Sequence, residues 1–268
     1  MSEGAADGVS LDTTDGVLRI VLDRPERKNA LDPAAIERIV RALEQASTDD
    51  SLRVVLLTSS GDDFCSGANW VASNTGVEER PRTGSVQRRT PLQAHRLIEL
   101  ILQIQLPVIC IVRGWAAGLG CQLALAADFT VADDTARFWE PFLTRGFSPD
   151  SGATWLLPRL VGIARAKELL ILGRELSGAE AAEWGLIHRA VPAGELDAVA
   201  TELVQTLASA PTVAVGLTKR CMHRALESGV VVAMEAEANA LELTSRTQDF
   251  KEGLVAFRER RPADFRGR

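Results

Sequence analysis

Long apolar runs are missing from this sequence: nowhere do about 20 consecutive apolar residues stand together, which leaves no candidate for a helix crossing a bilayer. The first ten residues, MSEGAADGVS, carry acids and no apolar core, so they do not read as a secretory signal. Cysteine is scarce. Cys65, Cys110, Cys121 and Cys221 lie far apart, with neither the C-x-x-C pairs of a zinc site nor the density of a disulfide scaffold, and a reducing, cytoplasmic location is expected. His95, His188 and His223 are isolated and lack metal-ligand spacing, so no metal is expected. Basic blocks are missing too. The 30 basic residues are interspersed with 36 acidic ones for a net charge of -6, whereas a nucleic-acid binder needs a concentrated basic face. Only Arg258 to Arg268 is locally basic.

What is present is length and apolar content. A chain of 268 residues, 46% hydrophobic, can bury roughly three quarters of its unfolded surface and needs no covalent staple. Leu18–Leu22 alternates and is rich in β-formers, and Arg24-Pro25 must end that strand. Asp32-Pro33 places an N-cap before a proline at the first helical position and opens an amphipathic helix to Ala46. Val54–Thr58, bounded by Ser59-Ser60-Gly61, suits a strand covered on both faces. Asn74 to Pro91, with glycine, proline and four arginines, reads as a surface loop. A helix over 92–105, a strand over 108–112, a glycine-rich turn over 114–120, a small-residue helix over 122–127 and a strand over 129–132 follow. Beyond Pro149 apolar spacing predicts helices over 164–172, 195–208, 213–226 and 231–243. The expectation is an α/β front, residues 1–205, and a helical back, residues 206–268, fit for oligomerisation.

Two glycine turns carry the chemistry. In Phe64-Cys65-Ser66-Gly67-Ala68-Asn69, small residues let a ligand approach the backbone, and the Ala68 N–H could meet a bound oxygen. In Gly114-Trp-Ala-Ala-Gly118-Leu119-Gly120-Cys121-Gln122 a strand runs into a helix, whose N-terminal N–H groups attract negative charge. Either turn alone also fits a purely structural strand-to-helix junction. The second is neither G-x-G-x-x-G nor a P-loop, since the spacing differs and no lysine follows.

Together, and in order, Arg24-Pro25, Asn29-Ala-Leu31, the two turns, Pro149-Asp150-Ser-Gly152-x-Thr154-x-Leu156-Leu-Pro158-Arg159, Ala181-x-x-Trp-Gly185-Leu186 and Phe250-x-Glu252-Gly253-x-x-Ala256-Phe257 resemble the enoyl-CoA hydratase/isomerase (crotonase) superfamily over residues 15–265. The resemblance implies a spiral of ββα units, C-terminal helices that build a homotrimer or a dimer of trimers, and an acyl-CoA substrate that carries the coenzyme A itself, with no separate cofactor. It assigns the Ala68 and Leu119 N–H groups to the thioester oxygen, with Gly118 in the same turn.

The two glutamates of the family's hydratases match Gln122 and Phe142 here, so both acids are replaced. An amide cannot exchange a proton near neutral pH. Glu140 substitutes only if the alignment slips by two residues. Asp150 stands where isomerising members carry an acid, and one carboxylate can take a proton from one carbon and return it to another. Its alternative role is an N-cap for a helix from Gly152. Trp139, Phe142, Phe147 and Trp155 are expected to line Asp150 and raise its proton affinity, or simply to pack the core. For coenzyme A the resemblance implies adenine contacts from Cys65, Ser66 and Gly67, and phosphate contacts from Arg27, Lys28 and Arg260 of a neighbouring subunit. Cys65 could be a nucleophile, but no histidine follows it closely, and a packing role fits as well. An isomerase is the leading expectation, a hydratase the second, and a non-catalytic acyl-CoA binder the alternative of another class.

Overall fold

The structure is a computed structural model that describes residues 8–68 and 82–268. Strands β1 (Val9–Thr14) and β2 (Val17–Leu22) form an antiparallel hairpin with Thr14 opposite Val17. Its two turn residues, Asp15 and Gly16, have φ of 51° and 75°. Two left-handed residues are what a tight hairpin turn compatible with strand twist requires, and Asp-Gly supplies them cheaply. β1 lies outside the elements expected above. From β2 the sheet continues in parallel through β3 (Val54–Ser59), β4 (Val108–Val112), β6 (Phe129–Asp133) and β9 (Arg189–Val191). A smaller sheet holds β5 (Trp115–Ala117), β7 (Arg137–Trp139) and β8 (Leu176–Ser177). Successive strands thus alternate between the two sheets, β4 to β5 and β6 to β7, in a spiral.

The first helix, α1 (Pro33–Ala46), starts as expected, with Asp32 accepting the Ala35 N–H at 2.8 Å. Ile36, Ile39, Val40 and Leu43 are buried on one stripe of it. The expected surface loop contains a short helix, α2 (Ser85–Arg89), and a 3-10 turn, Thr90–Leu92, while residues 74–81 of it lie outside the described part. Helix α3 (Ala94–Gln103) packs beside α4 (Leu119–Ala126). All eight residues of α4 are buried, which explains why it is small and apolar on every side.

Sequence periodicity truncates α5 (Ala153–Leu170), whose hydrophobic pattern is interrupted at Gly162, where φ of 78° kinks it. After the short α6 (Gly178–Glu183), α7 (Leu196–Ala208) covers the far face of the large sheet. The alternation of strand side chains divides them: Val54, Leu56, Ile109 and Ile111 face α7, and Val55, Leu57, Val108 and Cys110 face the main core. The remaining helices are α8 (Thr212–Ala225), α9 (Val230–Thr244) and α10 (Gln248–Glu259). No residue of α9 is buried.

Candidate active site

Backbone hydrogen bonds draw the two glycine turns together. Cys65 N–H donates to Trp115 O at 2.8 Å and Ala117 N–H donates to Cys65 O at 2.9 Å, so the first turn runs as an extra strand beside β5. Gly118 N–H donates to Trp139 O at 2.9 Å and secures the other edge to β7. The approach leaves no room for side chains. A Cβ on Gly120 would stand 2.3 Å from Cys65 O, and one on Gly67, at φ of 100°, would stand 2.8 Å from Ala117 O and 3.5 Å from Leu119 N. These two glycines are a packing requirement of the paired turns.

Ala68 and Leu119 line one cleft, and neither N–H donates to a protein acceptor among the described residues. Leu119 is the first residue of α4, so its N–H is one of the donors a helix leaves free at its start. Ser66, Gly67 and Gly118 line the same cleft. Phe142 and Phe147 stand edge to face across 5.6 Å in its wall. Asp150 also lines it.

Asp150 does not cap a helix. The N-cap of α5 is Gly152, without a side-chain hydrogen bond, and only the Asp150 carbonyl is used, accepting the Ala153 N–H at 3.1 Å. Two consecutive left-handed residues, Ser151 (φ 51°) and Gly152 (φ 84°), turn the chain away and leave the carboxyl to the cleft. A serine there is held at a cost on the order of 1 kcal/mol, which only a well-packed turn sustains. Burial raises the proton affinity of Asp150, against the opposing pull of the Ser151 hydroxyl and the charge of His95.

Other expected site residues fall elsewhere. Gln122 and Glu140 are buried behind the turns and do not line the cleft. The Gln122 amide nitrogen lies 2.7 Å from both Glu140 carboxyl oxygens, and burial lifts Glu140 to about 8, with the charge of Asp150 adding to the rise. Trp139 is withdrawn as well: its indole N–H donates to Gly173 O at 3.1 Å and its ring meets Trp115. Trp155 stacks on His223 and under Arg159, away from the cleft. Cys65 is fully buried, and its thiol is pushed up to about 12, so it is no nucleophile.

Arg27 and Lys28 are exposed beside the first turn, where Lys28 O accepts the Ser66 N–H at 2.9 Å and its ammonium pairs with Asp63 at 3.3 Å. Neither lines the cleft, nor does Arg260, which is exposed at the end of α10. Asn69 lies outside the described residues. Leu31, Ile36, Arg89, Gln93 and Arg145 do line the cleft and were not expected to. Leu31 and Ile36 read as ordinary core residues, and Arg89 sits in the segment read as a surface loop.

A spiral of alternating strands whose paired turns present free N–H groups beside a half-buried aspartate defines a class of enzyme that handles a carbonyl oxygen. The Enoyl-CoA hydratase/isomerase family model matches residues 12–268, and the chain belongs to that family. It is 36% identical over 255 residues to the 1,2-epoxyphenylacetyl-CoA isomerase of Escherichia coli K12, covering 94% of this chain and 96% of that one. To a probable enoyl-CoA hydratase of Rhodobacter capsulatus it is 35% identical, covering 97% and 98%. Among solved structures, an enoyl-CoA hydratase from Bacillus anthracis superposes with a TM-score of 0.90 at 33% identity over 97% of this chain and 100% of that one.

Proposed function

We propose that this acyl-CoA enzyme shifts a double bond in an enoyl-CoA thioester, with Asp150 as the shuttling base. The observation that carries the reading is that Asp150 shares a cleft with Ala68 and Leu119, while Gln122 and Glu140 are withdrawn from it. The two N–H groups hold the thioester oxygen and gain strength as it becomes an enolate oxygen. Loss of one such donor costs about 3 kcal/mol of transition-state stabilisation. The neighbouring carbon becomes acidic enough for a carboxylate, and the raised proton affinity of Asp150 brings the base closer to the task. Asp150 takes the proton from one carbon and returns it to another.

Coenzyme A enters this reading as part of the substrate. The Cys65 to Gly67 backbone would meet the adenine, and Arg27 and Lys28, with Arg260 of a neighbouring copy, would meet the phosphates. Residues 206–268 would build the trimer, or the dimer of trimers, a reading supported by the apolar exposure of α9.

Hydration is the second reading, favoured by one observation: Glu140 is a protonated-range carboxyl close enough to Asp150 to feel its charge. Incubating the purified protein with a 3-enoyl-CoA and, separately, with crotonyl-CoA separates the readings through the absorbance of the conjugated thioester. The isomerase reading expects conjugation to appear with the first substrate and to persist with the second. Loss of conjugation from crotonyl-CoA at a comparable rate would favour hydration, and binding without turnover of either would favour a non-catalytic binder.

A further inference from the structure

Two arginines line the cleft with no salt-bridge partner among the described residues, Arg89 at the end of α2 and Arg145 in the 3-10 turn Leu143–Arg145. Some other arginines meet an acidic side chain, Arg113, Arg137, Arg174 and Arg261 among them, and Arg159 and Arg165 lie over tryptophan rings instead. Arg145 is rooted firmly. Its N–H donates to Pro141 O and Phe142 O at 3.2 and 3.1 Å, Gly146 closes the turn at φ of 80°, and its guanidinium lies 5.9 Å from the centre of the Trp139 ring. It therefore leaves the backbone between Phe142 and Phe147, on the wall that also carries Asp150. With Asp150 as the proposed base, the acyl carbons must reach this wall, whereas Arg27 and Lys28 stand at the first turn, outside the cleft lining.

From this placement we infer that the acyl group handled here ends in a second carboxylate, gripped by Arg145 with Arg89 adding charge. The inference deepens the acyl-CoA reading above and rests on it. An acyl chain that ends in a free carboxylate meets like-charge repulsion beside Asp150, and two cations on the same cleft offset it. A guanidinium also offers paired N–H donors that match a carboxylate, which a neutral acyl terminus cannot use.

The test is titration calorimetry with adipyl-CoA, hexanoyl-CoA and free coenzyme A, on the full chain and on Arg145→Met and Arg89→Met. The six-carbon esters share their length and differ in the terminal carboxylate. The wild type should bind adipyl-CoA about tenfold or more tighter than hexanoyl-CoA, and Arg145→Met should bring that ratio close to one. Arg89→Met should lower it by less. Equal affinity of the wild type for the two esters overturns the inference while leaving the acyl-CoA reading intact. So does a variant that weakens both esters and free coenzyme A by one factor, since Arg145 would then serve the coenzyme's phosphates. If neither ester binds the wild type, the acyl-CoA reading fails, and this inference with it.

Discussion

Glu140 and Asp150 are two carboxyl groups near one cleft that burial treats differently. Glu140 is 2% exposed and tied to Gln122, whereas Asp150 keeps a face to the cleft. A carboxyl whose proton affinity is higher folded than unfolded favours folding fully at low pH, and the advantage is lost as pH rises from the unfolded value, 4.5, through the folded one, about 8. Glu140→Gln removes that dependence and lets two amides pair, so its melting temperature should exceed that of the wild type at pH 8 by more than at pH 5, as scanning calorimetry at both values would read. An equal difference at the two pH values would contradict the buried-acid account. Gly67→Ala places a methyl 2.8 Å from Ala117 O and should lower turnover by about tenfold or more by parting the paired turns, read as kcat with melting temperature as the fold control. At this scale the family resemblance pointed to Asp150, Ala68 and Leu119, and the structure brings the three to one cleft. The sequence could not reveal that Gln122 is withdrawn, since a helix buried on every side has no periodicity to say which residue faces a ligand.

Elements whose ends are chemically marked were legible, and elements defined only by their partners were not. Asp32-Pro33 announced α1 to the residue. β7, β8 and β9, of two or three residues each, exist because neighbouring strands offer hydrogen bonds, and nothing local marks them. The hairpin at Asp15-Gly16 has a local mark as well, an Asp-Gly pair that accepts two left-handed residues. An ion pair between the buried Lys219 and the partly buried Asp128 ties α8 to the core: Lys219 donates to Asp128 at 2.7 Å and to Ile101 O at 2.8 Å, and Asp128 also accepts the Val108 N–H. Lys219→Ala leaves the partly buried Asp128 without its cation and should cost about 1–3 kcal/mol in urea unfolding. A cost near zero would mean that α8 is held by apolar contacts alone.

On the scale of the whole molecule, the apolar surface is concentrated at the C-terminal end. Val230, Val231 and Leu241 of α9 and Leu254 and Phe257 of α10 are exposed, Phe257 at 87%. Patches of this kind mark association surfaces. Sedimentation velocity should find the wild type as a trimer or its multiple, and Val231→Glu with Phe257→Glu should shift it toward monomer. A monomeric wild type would contradict the proposed assembly. The sequence conveys this region as helical and apolar, and the structure shows that it stays exposed among the described residues.

The central claim is that one aspartate exchanges a proton with carbon beside an oxygen held by two peptide N–H groups. Its most direct measurement is the exchange of solvent deuterium into a 3-enoyl-CoA, followed by mass spectrometry, for the wild type and Asp150→Asn. The account predicts incorporation by the wild type and a rate lower by about 100-fold or more in the variant, with thioester binding retained in both. Equal incorporation by the two proteins would contradict it.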